Sequence, residues 1–223
     1  MNLIRSLLFY LVFYAGTLVL LVLVPFQGRH GMRRVAGAWS GVHRWALRHI
    51  LRIRVICEGA PIDRPALYAM RHESFFEAID SAKLFDAPVV FAKQELLEIP
   101  VWGGAATKYG IIPVARADGA KALRDLMRAA KEAKAEGRPF LIFPEGTRTP
   151  HGVEGDIVSG FAGLYKLLDL PVVPVAVNSG PLYRSFVKRP GQITYRFGAA
   201  VEPGLPRAEV EARVREAINA LNR

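Results

Sequence analysis

Residues 6–28 form an uncharged run of 23 residues, rich in Leu, Val, Phe and Tyr. No other stretch constrains the fold as tightly, because a helix this apolar must cover its sides with lipid or with protein. At about 1.5 Å per residue it can reach across a hydrocarbon layer of about 30 Å. A secretory signal is the rival reading, but the run is too long and no small-x-small cleavage site follows it. Gly16 and Pro25 leave room for a bend, so spanning, tilted and re-entrant helices all fit.

Charge divides the chain at the same place. No Asp or Glu precedes Glu58, and the first 57 residues hold eight Arg and no Lys. The rest of the chain is nearly balanced, with 22 basic and 20 acidic residues, so the net charge of +10 belongs mainly to the N-terminal segment. A nucleic-acid-binding protein carries such an excess on its folded domain, so no nucleic-acid partner is expected. Residues 33–52 read as an amphipathic helix, with Val35, Trp39, Val42, Ala46 and Ile50 on one face and Arg44, Arg48 and Arg52 in a stripe away from it. An Arg-striped helix with Trp39 and Trp45 suits a membrane surface bearing anionic lipid. Seven Arg follow the apolar run, against Arg5 alone before it, which puts the body on the cytoplasmic side of the inner membrane. Residues 1–52 are thus expected to be membrane-anchoring helices and residues 53–223 the globular domain.

Within that domain short apolar segments alternate with helical ones. Strands are expected at 53–57, 66–70, 89–92, 111–114, 140–143, 172–177 and 192–197, and helices at 74–85, 118–136, 161–168 and 207–221. This rhythm predicts an α/β fold with a largely parallel β-sheet flanked by helices. The single cysteine, Cys57, excludes an internal disulfide and reads as a small core residue. His30, His43, His49, His72 and His151 are scattered without metal-ligand spacing, so no metal is expected.

The chemistry concentrates in three stretches. Arg71-His72-Glu73-Ser74-Phe75-Phe76-Glu77 follows a strand and places a histidine five residues before a carboxylate. Imidazole titrates near neutrality and can take and return an alcohol's proton, and a carboxylate fixes its tautomer. On one continuous helix the two side chains would lie about 140° apart, so they meet only if His72 precedes the helix and Glu77 lies in its first turn. Ser74 to Glu77 is also a capping-box pattern with Ser74 at the N-cap, a structural reason for Glu77. Phe143-Pro144-Glu145-Gly146-Thr147-Arg148 runs from a strand into a polar loop. There Gly146 permits close backbone approach, Thr147 offers a hydroxyl and Arg148 a cationic fork suited to phosphate. Gly110 to Arg116 is a shorter strand that also ends in arginine, and Lys93 stands at the end of another.

Together these stretches resemble the glycerolipid acyltransferase family that includes the 1-acyl-glycerol-3-phosphate acyltransferases. Four blocks match in order over residues 55–180: His72 to Glu77, Gly110 to Arg116, Phe143 to Arg148, and Val172-Val173-Pro174-Val175-Ala176-Val177. Two positions depart from the pattern. The family's usual acid in the first block is Asp, where this chain has Glu77, with Asp80 one turn on as an alternative partner. Members often carry Lys a few residues after the third block, where this chain has Val158, which supplies no charge. The resemblance implies transfer of an acyl chain from coenzyme A or acyl carrier protein to the 2-hydroxyl of lysophosphatidic acid, with no bound cofactor. It gives His72 the role of general base and Glu77 that of its orienting acid. Arg116, Glu145, Gly146, Thr147 and Arg148, with Lys93 beside them, would bind substrate. A thioesterase, a non-catalytic lipid-binding protein and an acyltransferase for another lysolipid, such as a lyso-ornithine lipid, are the alternatives.

Overall fold

The computed structural model describes residues 1–114 and 119–222. Helix α1 (Asn2–Leu23) and helix α2 (Arg29–Ala46) come first, and a π turn at Leu47–Leu51 leads into strand β1 (Ile53–Glu58). Then follow β2 (Leu67–Met70), α3 (Phe76–Leu84), β3 (Val89–Lys93), α4 (Trp102–Tyr109) and β4 (Ile112–Val114). The chain continues with α5 (Gly119–Ala135), β5 (Phe140–Ile142), α6 (Ser159–Leu168), β6 (Val172–Val177), β7 (Gly191–Phe197) and α7 (Arg207–Ile218).

The strands form one sheet in the order β1-β7-β6-β2-β5-β3-β4. Every pairing is parallel except that of β6 with β7. The expected largely parallel α/β sheet is therefore present, and α4 is the helix that the sequence pattern did not announce. Side chains alternate across the sheet as strand geometry requires. Leu67, Ala69 and Val172 face a layer made by α5, α6 and α7, where Phe161, Val210, Val214 and Ile218 are buried. Tyr68, Met70, Val173, Val175 and Val177 face the opposite layer with Phe76 of α3. Covered on both faces, the central strands read as unbroken apolar runs. Edge strand β1 is covered less, and Cys57 is exposed there, not in the core as expected.

The opposite layer also contains Phe9 and Phe13 of α1, Ala46 of α2, and Leu47 and Leu51. The N-terminal helices thus share the core of the body. Tyr10 donates its hydroxyl to the Phe186 carbonyl at 2.8 Å, and Lys188 N–H donates to Ser6 Oγ at 2.8 Å. Arg44 leaves the expected surface stripe: its guanidinium forks onto buried Asp80 at 2.5 and 2.8 Å, while Arg48 and Arg52 stay exposed. Arg33 pairs with Glu136, just past the end of α5. The other side of α1 is open and apolar, with Leu7 at 51% exposure and Leu11, Leu18 and Val22 at 66–68%. By length and composition the stretch Asn2–Phe26 is the candidate membrane segment among the described residues.

Burial of Phe9, Phe13, Leu47 and Leu51 contributes on the order of 10 kcal/mol at the usual value per side chain, as much as the net stability of a typical domain. A chain that starts at Arg54 should therefore lose its cooperative thermal transition, measured by circular dichroism in detergent. A transition within a few degrees of the full-length protein would show that the helices are dispensable for folding.

Candidate active site

The C-terminal ends of β2, β3, β5 and β6 lie along one edge of the sheet, the place where open α/β sheets gather ligands. His72 stands two residues past β2. Its ring stacks on Phe143 with centroids 4.1 Å apart, and its Nδ1 lies 3.2 Å from Glu77 Oε2. Glu77 is fully buried in the first turn of α3. The geometry required of the pair is thus met, with His72 before the helix. Toward a carboxylate, which only accepts, Nδ1 carries the proton, so Nε2 keeps its lone pair for an incoming hydroxyl. Asp80 takes no part, because Arg44 and the Tyr195 hydroxyl occupy its oxygens.

The capping expectation holds in altered form. Helix α3 begins at Phe76, two residues after Ser74, and Ser74 Oγ accepts the N–H of Phe76, not that of Glu77. The reciprocal half is intact: Ser74 N–H donates to Glu77 Oε2 at 3.0 Å. One carboxylate oxygen therefore serves both the helix start and His72. The other accepts the Ser179 hydroxyl from the loop after β6.

Beneath His72 lies a buried ionic cluster that the sequence reading missed. Arg71 has no exposed surface and donates to Glu73 at 3.3 Å, Glu145 at 3.0 Å, Asn219 at 2.5 Å and the Val153 carbonyl at 2.6 Å. Glu145 is buried with both oxygens engaged, the second by His72 N–H at 3.0 Å. Glu145, expected at the substrate, holds the backbone under the histidine, with one oxygen on Arg71 and the other on His72 N–H. Glu73 also accepts from Gly180 N–H at 2.7 Å and pairs with His151 Nδ1 at 2.9 Å. Burial pushes the Glu73 carboxyl above its usual range, against the pull of those partners.

Gly146 has φ +64°, and a Cβ there would lie 3.1 Å from Val158 Cγ1, so the turn requires glycine. Val158, at the position where a lysine would supply charge, closes against this turn. Thr147 and Arg148 are exposed at the same edge. The Arg148 guanidinium lies 3.9 Å above the Phe75 ring, so an aromatic face meets its charge. Arg184, also missed, donates through Nη1 to the carbonyls of Glu73 at 3.1 Å and Arg148 at 3.3 Å, tying the two motif loops together. Lys93 is exposed at the end of β3, two strands and so about 10 Å across the sheet from β2. Arg116 lies outside the described residues.

Removing Arg71 would strand two buried carboxylates, a change that typically costs about 3–5 kcal/mol. Arg71→Met should therefore lower the thermal midpoint more than His72→Ala does. Equal midpoints for the two variants would contradict the hub role.

The acyltransferase family model matches residues 52–178, the stretch that holds His72, Glu77, Glu145 and Arg148. The chain is 32% identical to the 1-acyl-sn-glycerol-3-phosphate acyltransferase of Pseudomonas aeruginosa, over 95% of this chain and 87% of that protein. The corresponding enzyme of Helicobacter pylori is 38% identical over a shorter stretch, 39% of this chain and 36% of its own length. The fold is similar to the crystal structure of the 1-acyl-sn-glycerophosphate (LPA) acyltransferase PlsC from Thermotoga maritima, with a TM-score of 0.71 and 23% identity over 98% of this chain and 95% of that one. The chain belongs to the acyltransferase family.

Proposed function

We propose that the protein transfers an acyl chain from a thioester of coenzyme A or acyl carrier protein to the 2-hydroxyl of 1-acyl-glycerol-3-phosphate, giving phosphatidic acid. The observation that carries this reading is the His72–Glu77 pair at the sheet edge, with the guanidinium of Arg148 beside it. His72 Nε2 takes the hydroxyl proton as the oxygen attacks the thioester carbonyl. The tetrahedral adduct collapses, the C–S bond breaks, and the imidazolium returns the proton to the leaving thiol. Glu77 holds the ring and stabilises the imidazolium. Arg148, joined by Arg184, Lys93 and Arg116, grips the acceptor phosphate, which brings the hydroxyl to His72. No side chain is assigned as a covalent nucleophile, because Ser74 is occupied within the fold.

The membrane supplies the acceptor. With one face of α1 bound to the body and the other apolar and open, the helix fits an in-plane arrangement at the cytoplasmic leaflet of the inner membrane better than an independent span. There it holds the sheet edge near the headgroups.

The test is a panel of lysolipids, lyso-ornithine lipid included, offered to the purified protein with each donor. His72→Ala should lose about 10²–10⁴ in rate while staying folded. Arg148→Lys should raise KM for a phosphorylated acceptor about tenfold, equivalent to about 1.4 kcal/mol, and leave the donor KM unchanged. Turnover by His72→Ala near that of the native protein would overturn the mechanism, and preference for a phosphate-free acceptor would overturn the substrate assignment.

A further inference from the structure

Ser179 stands two residues past β6 and is fully buried. Its hydroxyl lies within hydrogen-bond reach of Glu77 Oε1 and 2.7 Å from Ser74 Oγ. We propose that Ser179 is a positioning residue for catalysis, donating to the outer oxygen of Glu77 so that the inner oxygen faces His72. This rests on the assignment of His72 as general base.

The direction of each bond follows from the protons available. A carboxylate only accepts, so Ser179 must donate to Glu77. Ser179 has then spent its single proton, and Ser74 must donate to Ser179. Ser74 in turn accepts the N–H of Phe76 at 3.1 Å. The result is a one-way chain from the start of α3 through two hydroxyls to the carboxylate, and each bond polarises the next. Meanwhile Ser74 N–H fixes the other oxygen at 3.0 Å. Both carboxylate oxygens are therefore held, and the group cannot rotate away from the imidazole.

Two further observations separate this role from simple loop support. The turn after Ser179 is closed without its hydroxyl: Tyr183 N–H and Leu182 N–H donate to the Ser179 carbonyl at 2.8 and 3.2 Å, and Gly180 N–H donates to Glu73 at 2.7 Å. The hydroxyl is thus not needed for the turn. Sheet register also sets the meeting point, because Ser74 faces Ser179 at the same offset as Met70 faces Val175 in the parallel pairing of β2 with β6.

The experiment compares Ser179→Ala and the near-isosteric Ser179→Cys with the native protein and His72→Ala. In the alanine variant kcat should fall about 10- to 100-fold, as expected for a lost bond to a charged group, with both KM values within about twofold. The cysteine, a weak donor, should fall between alanine and serine. Proton NMR of detergent-solubilised protein gives a readout independent of turnover. The downfield His72 Nδ1–H resonance, assigned by its loss in His72→Ala, should shift upfield or broaden in Ser179→Ala. Native kcat and an unmoved resonance in both Ser179 variants, while His72→Ala is inactive, would overturn the proposal and leave the acyl-transfer reading standing. Full activity of His72→Ala would instead overturn the reading on which it rests.

Discussion

A guanidinium without exposed surface sits at the end of the central strand, and the site is assembled around it. Taking Arg71 out of water is expensive unless its donors are met, and the surrounding elements meet them. Glu145 comes from the loop after β5, the carbonyls of Pro150 and Val153 from the stretch beyond, and Asn219 and Asn222 from the end of α7. The second oxygen of Glu145 then takes His72 N–H. The charge that looks most out of place in the sheet thus fixes the backbone from which the His72 imidazole projects. Its partner Glu73 accepts an N–H from the turn after β6, so that turn belongs to the same unit.

The N-terminal helices are tied to this unit from the other side. Helix α3 carries Glu77 at its start and Asp80 one turn later, and α2 grips Asp80 through Arg44. His43 of α2 meets the Tyr183 hydroxyl at 2.8 Å, in the turn that follows Ser179. Burial drives the His43 pKa down to about 3, so the ring is neutral near pH 7 and bonds without charge in an aromatic pocket of Phe9, Phe13 and Phe76. The helix with the open apolar face therefore packs, through α2, on the two segments that hold Glu77.

Much of this was legible in the sequence, for physical reasons. Two-sided burial made the strands into apolar runs, and all seven were placed within one residue at each end. The His-to-Glu spacing defined a geometric condition that the structure meets, and Gly146 was read as permitting close backbone approach, as its φ of +64° against Val158 bears out. What escaped were contacts made across long sequence separations. Asp80 was kept as an alternative acid because nothing local showed that Arg44, in a helix read as facing lipid, reaches back to it. Glu145 was read as a ligand group because a carboxylate in a polar loop gives no hint of a buried arginine beneath it. Ser179 and Arg184 lie outside the matched blocks, in a turn whose value depends on the sheet register. Helix α4 was missed because Gly103 and Gly104 weaken its helical pattern.

Direct attack by the acceptor hydroxyl, activated by His72, is the central claim, and rapid-mixing measurement of thiol release tests it most directly. Purified protein mixed with an acyl thioester alone should release no more than a trace of thiol. Addition of 1-acyl-glycerol-3-phosphate should release thiol and form phosphatidic acid in equal amounts and at the same rate. A burst of thiol stoichiometric with enzyme before the acceptor arrives would reveal an acyl-enzyme, and steady release of free fatty acid without acceptor would reveal a thioesterase. Either result would contradict direct transfer.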